Sequence, residues 1–523
     1  MNKLERQSGR TAAPTGLPAD MKAELPELAA SEAPPLAPRV ALSQREVRTI
    51  LLSLLLTMFL AALDQTIVAT ALPTIGRHFQ DVSSLSWVIT AYLLASTAVA
   101  PVFGSLSDIY GRRAMIVVSL GLFVAGSVLC AVAPTMSVLI LGRALQGLGG
   151  GGIMPVVQTV ISDLVTPRER GQYQAYFSGV WMLAGIGGPV LGGIFAEHLH
   201  WSMIFWINVP LAMASLTLLL PRLGKIPMHH RMRKVDWLGG VLLMASAVCL
   251  MLVLTWGGHR FAWLSPTVLA MTGTGVALAL FFLWQERRVE EPFLRMSLIS
   301  GTVVPYGLIG GGCALGAMIG LTVHLPLYYE AVYHLTASQA GLGLIPLAAI
   351  STLGAAVAGR AMARVRHYKR VPIVGALVAT LAGAVMTLTT PGLWSLLALL
   401  SIFGIGLGTV FPTTVVSVQN AVERSQVGMV TGAMNFFRAM MSSFTVAAFS
   451  AILLMALGAD ISLAGGNGGP VGSISEADMV AAFRYVFGAA TIMLAATALA
   501  MMAMEERPLA GPSSRSVEIK EEG

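Results

Sequence analysis

Asp64 is a carboxylate inside an otherwise apolar stretch running from about Ile50 to Ala71. A charge at membrane depth costs roughly 2.5–3.5 kcal/mol on insertion scales, so an acid kept there is expected to pair, bind or exchange a proton. Arg143 is the opposite charge in a second apolar run, and it shares one helical face with Gln146 and Gly147 at i, i+3 and i+4. A guanidinium stays charged and must find acceptors. Two readings stand: Arg143 is partner to an acid that exchanges protons, or it is a structural arginine bonded to backbone carbonyls across a helix bundle.

The remaining ionisable residues suggest less chemistry. Glu197 and Glu330 are expected at a solvated boundary, and His324, near Tyr328 and Tyr329, at the same interface. Arg438 follows Asn435-Phe436-Phe437 and is expected near a span's start, where its long stem can snorkel to headgroups. Cys130, Cys249 and Cys313 lie far apart in separate apolar runs, which argues for neither disulfide nor metal. There is no phosphate-binding Gly-Lys-Ser/Thr loop, zinc-type His/Cys cluster or Gly-x-Ser-x-Gly elbow. No cofactor or metal is therefore expected, and energy is expected from an ion gradient.

The elements that must hold these residues follow from composition. A chain of 523 residues that is 55% hydrophobic and 11% charged, with mean hydropathy +0.74, has too little polar surface for a soluble globule. Apolar runs of membrane-spanning length start near residues 48, 84, 114, 137, 172, 203, 237, 266, 301, 337, 371, 393, 436 and 481, giving about fourteen spans. The net charge of +7 does not point to nucleic acid, because the basic residues lie in short loops between spans. Arg112, Arg113, Arg168, Arg170, Arg222, Lys225, Arg364, Lys369 and Arg370 fall in alternate loops, which the positive-inside rule places in the cytoplasm with both tails. Residues 1–42, rich in Ala, Pro and Glu, are expected to be a disordered cytoplasmic tail. Blocks 43–221 and 301–504 read as two six-span bundles. Residues 222–300 hold two additional spans, 458–482 form an external loop and 505–523 a cytoplasmic tail. A faint repeat relates Gly104–Arg113 to Gly359–Arg370, with Ala363 at the place of Asp108.

Four segments carry a family likeness. They are Leu63-Asp64-Gln65-Thr66 onward to Pro73; Gly104-Ser105-Leu106-Ser107-Asp108-Ile109-Tyr110-Gly111-Arg112-Arg113; Arg143-Ala144-Leu145-Gln146-Gly147; and Gly188-Pro189-Val190-Leu191-Gly192-Gly193. Together with Trp201 to Pro210, where Ser202 departs from the usual arginine, they resemble the fourteen-span drug:proton antiporters of the major facilitator superfamily. The resemblance implies an all-α integral membrane protein with the major facilitator fold, two six-span bundles plus two additional spans. It implies a conformational latch at Gly104, Asp108, Gly111, Arg112 and Arg113, proton coupling through Asp64 and Arg143, and an antiporter motif at Gly188, Pro189, Gly192 and Gly193. Its implied partners are small lipophilic substrates, protons and the bilayer of the cell (inner) membrane, and relatives in two-membrane bacteria can pair with a periplasmic adaptor protein.

The resulting expectation is drug export driven by the proton motive force, with two bundles rocking about a central cavity. Gln146, Phe177 and Trp181 are candidates to line that cavity, although the aromatics equally suit core packing. With one acid clearly within a span, neutral or monocationic lipophilic substrates fit a one-proton exchange best. An exporter of an endogenous metabolite, siderophore or lipid, a non-transporting membrane sensor and an embedded enzyme are the alternatives.

Overall fold

The computed structural model describes residues 44–81, 84–224, 235–258, 260–289, 292, 301–365, 367–457 and 475–509. The expected tail 1–42, residues 458–474 of the external loop and the end of the carboxyl tail lie outside them. Among the described residues there are fourteen helices long and apolar enough to cross a membrane. The first six are span 1 (Arg45–Phe79), span 2 (Leu85–Tyr110), span 3 (Arg112–Ala131), span 4 (Met136–Leu164), span 5 (Pro167–His198) and span 6 (Met203–Arg222). Span 7 (Trp237–Trp256) and span 8 (Pro266–Glu286) follow. The last six are span 9 (Val304–Tyr333), span 10 (Ser338–Arg364), span 11 (Arg370–Leu388), span 12 (Leu393–Asn420), span 13 (Arg424–Leu457) and span 14 (Glu476–Ala503).

Helix ends follow local chemistry. Thr166 opens span 5 with a capping box to Glu169 and Pro167 in the first turn, and Ser475 caps span 14 by accepting from the Asp478 backbone N–H at 3.1 Å. The largest boundary difference from the sequence reading is that span 13 begins at Arg424 rather than near residue 436. Its first turns hold Gly428, Thr431, Gly432 and Asn435, small or polar residues that break an apolar count. They are nonetheless helical, because the Thr431 hydroxyl bonds the Val427 carbonyl and the glycines press against span 2.

The two six-span blocks repeat one packing plan. Span 1 packs on spans 5 and 6, span 2 on span 4, and span 3 on spans 4 and 6. In the second block span 9 packs on spans 13 and 14, span 10 on span 12, and span 11 on spans 12 and 14. Contacts between blocks are reciprocal as well, span 2 against span 13 and span 10 against span 5. Spans 7 and 8 pair through a bond from the Ser246 hydroxyl to the Gly275 carbonyl (3.0 Å), and Ala247 of span 7 joins Ala98 and Phe436 in one apolar cluster beside the seam.

The close approaches between blocks lie at the end whose loops carry the basic residues. There a Cβ on Gly104 would stand 2.3 Å from the Gly428 carbonyl oxygen, and a Cβ on Gly359 would stand 2.3 Å from that of Gly171. These are the repeat-related positions of the sequence, so the same glycine contact is made twice. Residues 505–509, expected as the start of a tail, lie on that end too. The Leu509 carbonyl accepts from Arg168 (3.2 Å), that of Arg507 from Tyr368 (3.0 Å) and that of Pro508 from Asn420 (3.3 Å).

Candidate functional site

Asp64 is wholly buried in span 1, and its two oxygens face donors from three directions. Arg143 Nη1 donates to Oδ2 at 2.6 Å, while Gln146 Nε2 (2.7 Å) and Asn208 Nδ2 (2.9 Å) donate to Oδ1. The helical face foreseen for Arg143 and Gln146 therefore points at Asp64, and the two also bond each other at 2.7 Å. Ser127 of span 3 accepts from both Gln146 (2.8 Å) and Asn208 (3.3 Å), which ties spans 1, 3, 4 and 6 into one polar network.

Both readings of Arg143 describe part of the geometry. Its Nε donates to the Val88 carbonyl at 2.9 Å, and its guanidinium lies 4.4 Å from the Tyr92 ring centroid in span 2. The cation is thus held by backbone and aromatic groups independently of the acid. All three contacts are bonds that Asp64 accepts, as a carboxylate can, while Asn208 Oδ1 and the Tyr92 hydroxyl are buried beside the network without a partner. Span 4 approaches closely enough to build the cage because Gly126 of span 3 leaves room for Gln146, whose backbone N would lie 2.4 Å from a Cβ there.

The span-5 motif is the seam against span 1. Cβ atoms on Gly188 and Gly192 would come within 2.0 Å of Thr66 Oγ1 and 2.2 Å of Thr70 Oγ1, while Gly193 faces open space. Thr66 itself donates to the Ala184 carbonyl at 2.8 Å. Pro189 is exposed and the helix runs on through it. Gly188→Ala should therefore cost about 1–3 kcal/mol by overpacking, read as a lower midpoint in detergent thermal denaturation, whereas Gly193→Ala should leave the midpoint unchanged.

The segment 104–113 is less a loop than the end of one helix and the start of another. Span 2 continues to Tyr110, and the chain turns at Gly111 alone, with φ at +89°. Asp108 pairs with Arg112 at 2.6 Å and accepts from the backbone N–H groups of Gly428 (3.0 Å) and Met429 (2.7 Å), at the amino end of the span-13 helix. Arg112 reaches onward to Asp163 of span 4 at 3.1 Å. Arg113 points elsewhere, bonding the Gly224 carbonyl after span 6.

Other sequence candidates separate. Gln146 belongs to the Asp64 network rather than to an open cavity wall, Phe177 is buried, and Trp181 is 41% exposed. Glu197 and Glu330 are exposed, as their boundary positions suggested. His324 is buried between helices, with Nδ1 2.8 Å from the Gly320 carbonyl and Nε2 3.0 Å from the Ser450 hydroxyl. Arg438 is corrected: the longer span 13 puts it three turns into the helix, buried among spans 9 and 12, where it cannot snorkel from a helix end.

Sequence reading missed Asn208, Ser127, Tyr92 and Asp163 as site members. Asn208 carried a signal, a polar amide within an apolar run. Ser127 and Tyr92 carried none, since serines and tyrosines are common in spans and only the packing selects these two.

A family model described as Major Facilitator Superfamily matches residues 54–446. The chain is 34% identical to the efflux pump FUS6 of Gibberella fujikuroi, over 77% of this chain and 74% of that protein. It is 32% identical to multidrug resistance protein 3 of Bacillus subtilis, over 78% of this chain and 80% of that one. Among solved structures it is similar in fold to a bacterial homologue of the iron transporter ferroportin in an outward-facing state. That match has a TM-score of 0.61 and 12% identity and covers 88% of this chain and 100% of the other.

Proposed function

For a chain that belongs to the major facilitator superfamily, we propose proton-coupled export of small lipophilic compounds, with Asp64 as the proton-exchanging acid and Arg143 as its partner. The observation that carries this is the cage itself: one wholly buried carboxylate held by Arg143, Gln146 and Asn208 from two other spans. Relatives named efflux pump and multidrug resistance protein support the outward direction and the substrate class. On this reading the protein lies in the cell (inner) membrane with both termini in the cytoplasm, as the loop charges indicate.

The basic end is then the cytoplasmic end, and the closed contacts of spans 2, 5, 10 and 13 define a state that faces outward. A proton arriving from outside neutralises Asp64, releases Arg143 from its counter-charge and loosens the joint between spans 1, 3, 4 and 6. Rocking of the halves separates Gly104 from Gly428 and Asp108 from the span-13 backbone, opening the site inward. Substrate binding from the cytoplasm or inner leaflet accompanies loss of the proton, and the cage closes again. One proton supplies about 2.3 kcal/mol per 100 mV and about 1.4 kcal/mol per pH unit, so roughly 4 kcal/mol sustains about a thousandfold gradient of a neutral compound.

Everted membrane vesicles holding a proton gradient provide the test. Lipophilic compounds should discharge the gradient faster in vesicles containing the protein than in vesicles lacking it. Equal discharge across a broad compound panel would count against export of this class and favour a sensor.

A further inference from the structure

Spans 10 and 11 each pack along span 12 but hardly touch one another, which leaves a groove between them on the outer side of the second bundle. Its volume is about 380 Å³, within the range of small-molecule sites. Val357 of span 10 forms one wall, Val374 and Val378 of span 11 the other, and Ile405 and Thr409 of span 12 the floor. Gly375 and Gly406 line it too and cannot be enlarged to fill it. A Cβ on Gly375 would stand 2.2 Å from Thr409 Oγ1, and one on Gly406 would stand 2.2 Å from the Gly375 carbonyl oxygen. Val357, Val374, Val378 and Ile405 are exposed, as side chains that face acyl chains are.

The groove ends in positive charge. Arg370, the first residue of span 11, lines it directly, and Arg360 and Arg364 stand three and seven residues beyond Val357 on the same face of span 10. All three are exposed, and among the described residues none has a hydrogen-bond or ion-pair partner for its side chain. The carboxylates that follow span 14 are engaged elsewhere. Glu506 meets His367 (3.2 Å) and the Lys369 backbone N–H (3.1 Å), and Glu505 meets Thr302 (3.0 Å) and Arg507 (3.5 Å). An apolar slot beneath unpaired arginines at the end of a span matches a phospholipid, whose chains are apolar and whose phosphate takes guanidinium through paired bonds.

We propose that this groove binds one anionic phospholipid from the leaflet at the basic end, with an acyl chain along the valines and the phosphate among Arg360, Arg364 and Arg370. Such a site stands whatever compound the protein exports. Three uncompensated cations favour a headgroup with net negative charge over a zwitterionic one. Val357 and Gly359 lie on opposite faces of span 10, so the lipid sits on the side away from the closed contact between Gly359 and Gly171 and need not leave when that contact opens.

The test is photolabelling of the full-length protein in phosphatidylcholine vesicles that carry a trace of phosphatidylglycerol with a diazirine near the end of one acyl chain. Label should concentrate on peptides from spans 11 and 12 rather than on span 8, which is also exposed and ends beside Arg287 and Arg288. Unlabelled phosphatidylglycerol should displace it at a mole fraction about tenfold or more below that needed of phosphatidylethanolamine, which has no net charge. Arg360→Gln, Arg364→Gln and Arg370→Gln together should bring the two lipids to parity. Val374→Trp, which fills the groove and leaves the charges, should remove the concentration of label whichever lipid carries it. All four positions are exposed, so both variants should keep the wild-type thermal midpoint. Label spread evenly over the exposed spans, a preference that survives the three arginine changes, or labelling unaltered by Val374→Trp would each overturn the proposal. Displacement by sn-glycerol 3-phosphate as effective as by phosphatidylglycerol would also overturn it, since the site would then hold a soluble phosphate.

Discussion

Asp64→Asn should abolish gradient-driven export, lowering it by about two orders of magnitude or more, and should also lower the thermal midpoint, since it removes the counter-charge of a buried pair. Asparagine is nearly isosteric and leaves Arg143 bonded to the Val88 carbonyl and Gln146 Oε1 and stacked on Tyr92, but its NH2 takes the place of one accepting oxygen, so an amide of Gln146 or Asn208 must turn to accept from it. What disappears is the only atom pair in the cage that can take and release a proton. Substrate equilibration without a gradient should survive, and that separates loss of coupling from loss of folding. Uptake into everted vesicles with and without an imposed pH difference reads both. Gln146→Ala and Asn208→Ala, each removing one donor of three, should weaken transport by smaller factors, since hydrogen bonds to charged groups contribute about 1.5–3 kcal/mol each. Full gradient-driven export by Asp64→Asn would move the coupling acid elsewhere.

The second large effect is expected from Gly104→Leu. Its Cβ would meet the backbone oxygen of Gly428 at 2.3 Å, and neither backbone can step aside without opening the basic end. A clash confined to one state destabilises that state alone; at about 1–3 kcal/mol it shifts the balance between states roughly 5- to 150-fold toward the one open at the basic end. Transport should fall accordingly. A cysteine placed at Met429, buried in the closed contact, should become reactive toward a membrane-impermeant maleimide applied from the basic side. Gly359→Leu should behave alike, because it meets the Gly171 carbonyl at the same distance. Asp108→Asn should act in the same direction, since its one amide oxygen can accept from only one of the Gly428 and Met429 N–H groups, its NH2 faces the other, and the ion pair with Arg112 is lost. Normal transport by Gly104→Leu would mean that this contact does not break and re-form during turnover.

Much of this arrangement can be read along the chain. Span number follows from apolar length, whereas the sequence leaves Arg143 either partner to an acid or bonded to backbone carbonyls, and only the packing pairs it with Asp64. The face shared by Arg143 and Gln146 follows from helical spacing alone. The closed glycine contacts were half legible: Gly104 and Gly359 stand out as repeat partners, but Gly428 and Gly171, their true neighbours, lie in other spans and emerge only from packing. Arg438 shows where composition misleads. Small and polar residues at 428–435 resemble a helix break in an apolar count, yet they are the close-packed part of span 13, and that moves the arginine from a presumed helix end into the interior. Asp163 escaped because its partner Arg112 comes from another span, so no local pattern links them.

The central claim is that Asp64 gives up a proton when substrate binds, and proton release can be measured directly. Purified protein in weakly buffered detergent solution is mixed with a bound compound beside a pH-indicating dye, at a pH where the site starts protonated. The account predicts release of about one proton per protein molecule by the wild type and none by Asp64→Asn, with the compound still bound in both. Undiminished release by Asp64→Asn, or substrate binding to the wild type at every pH without release, would contradict it.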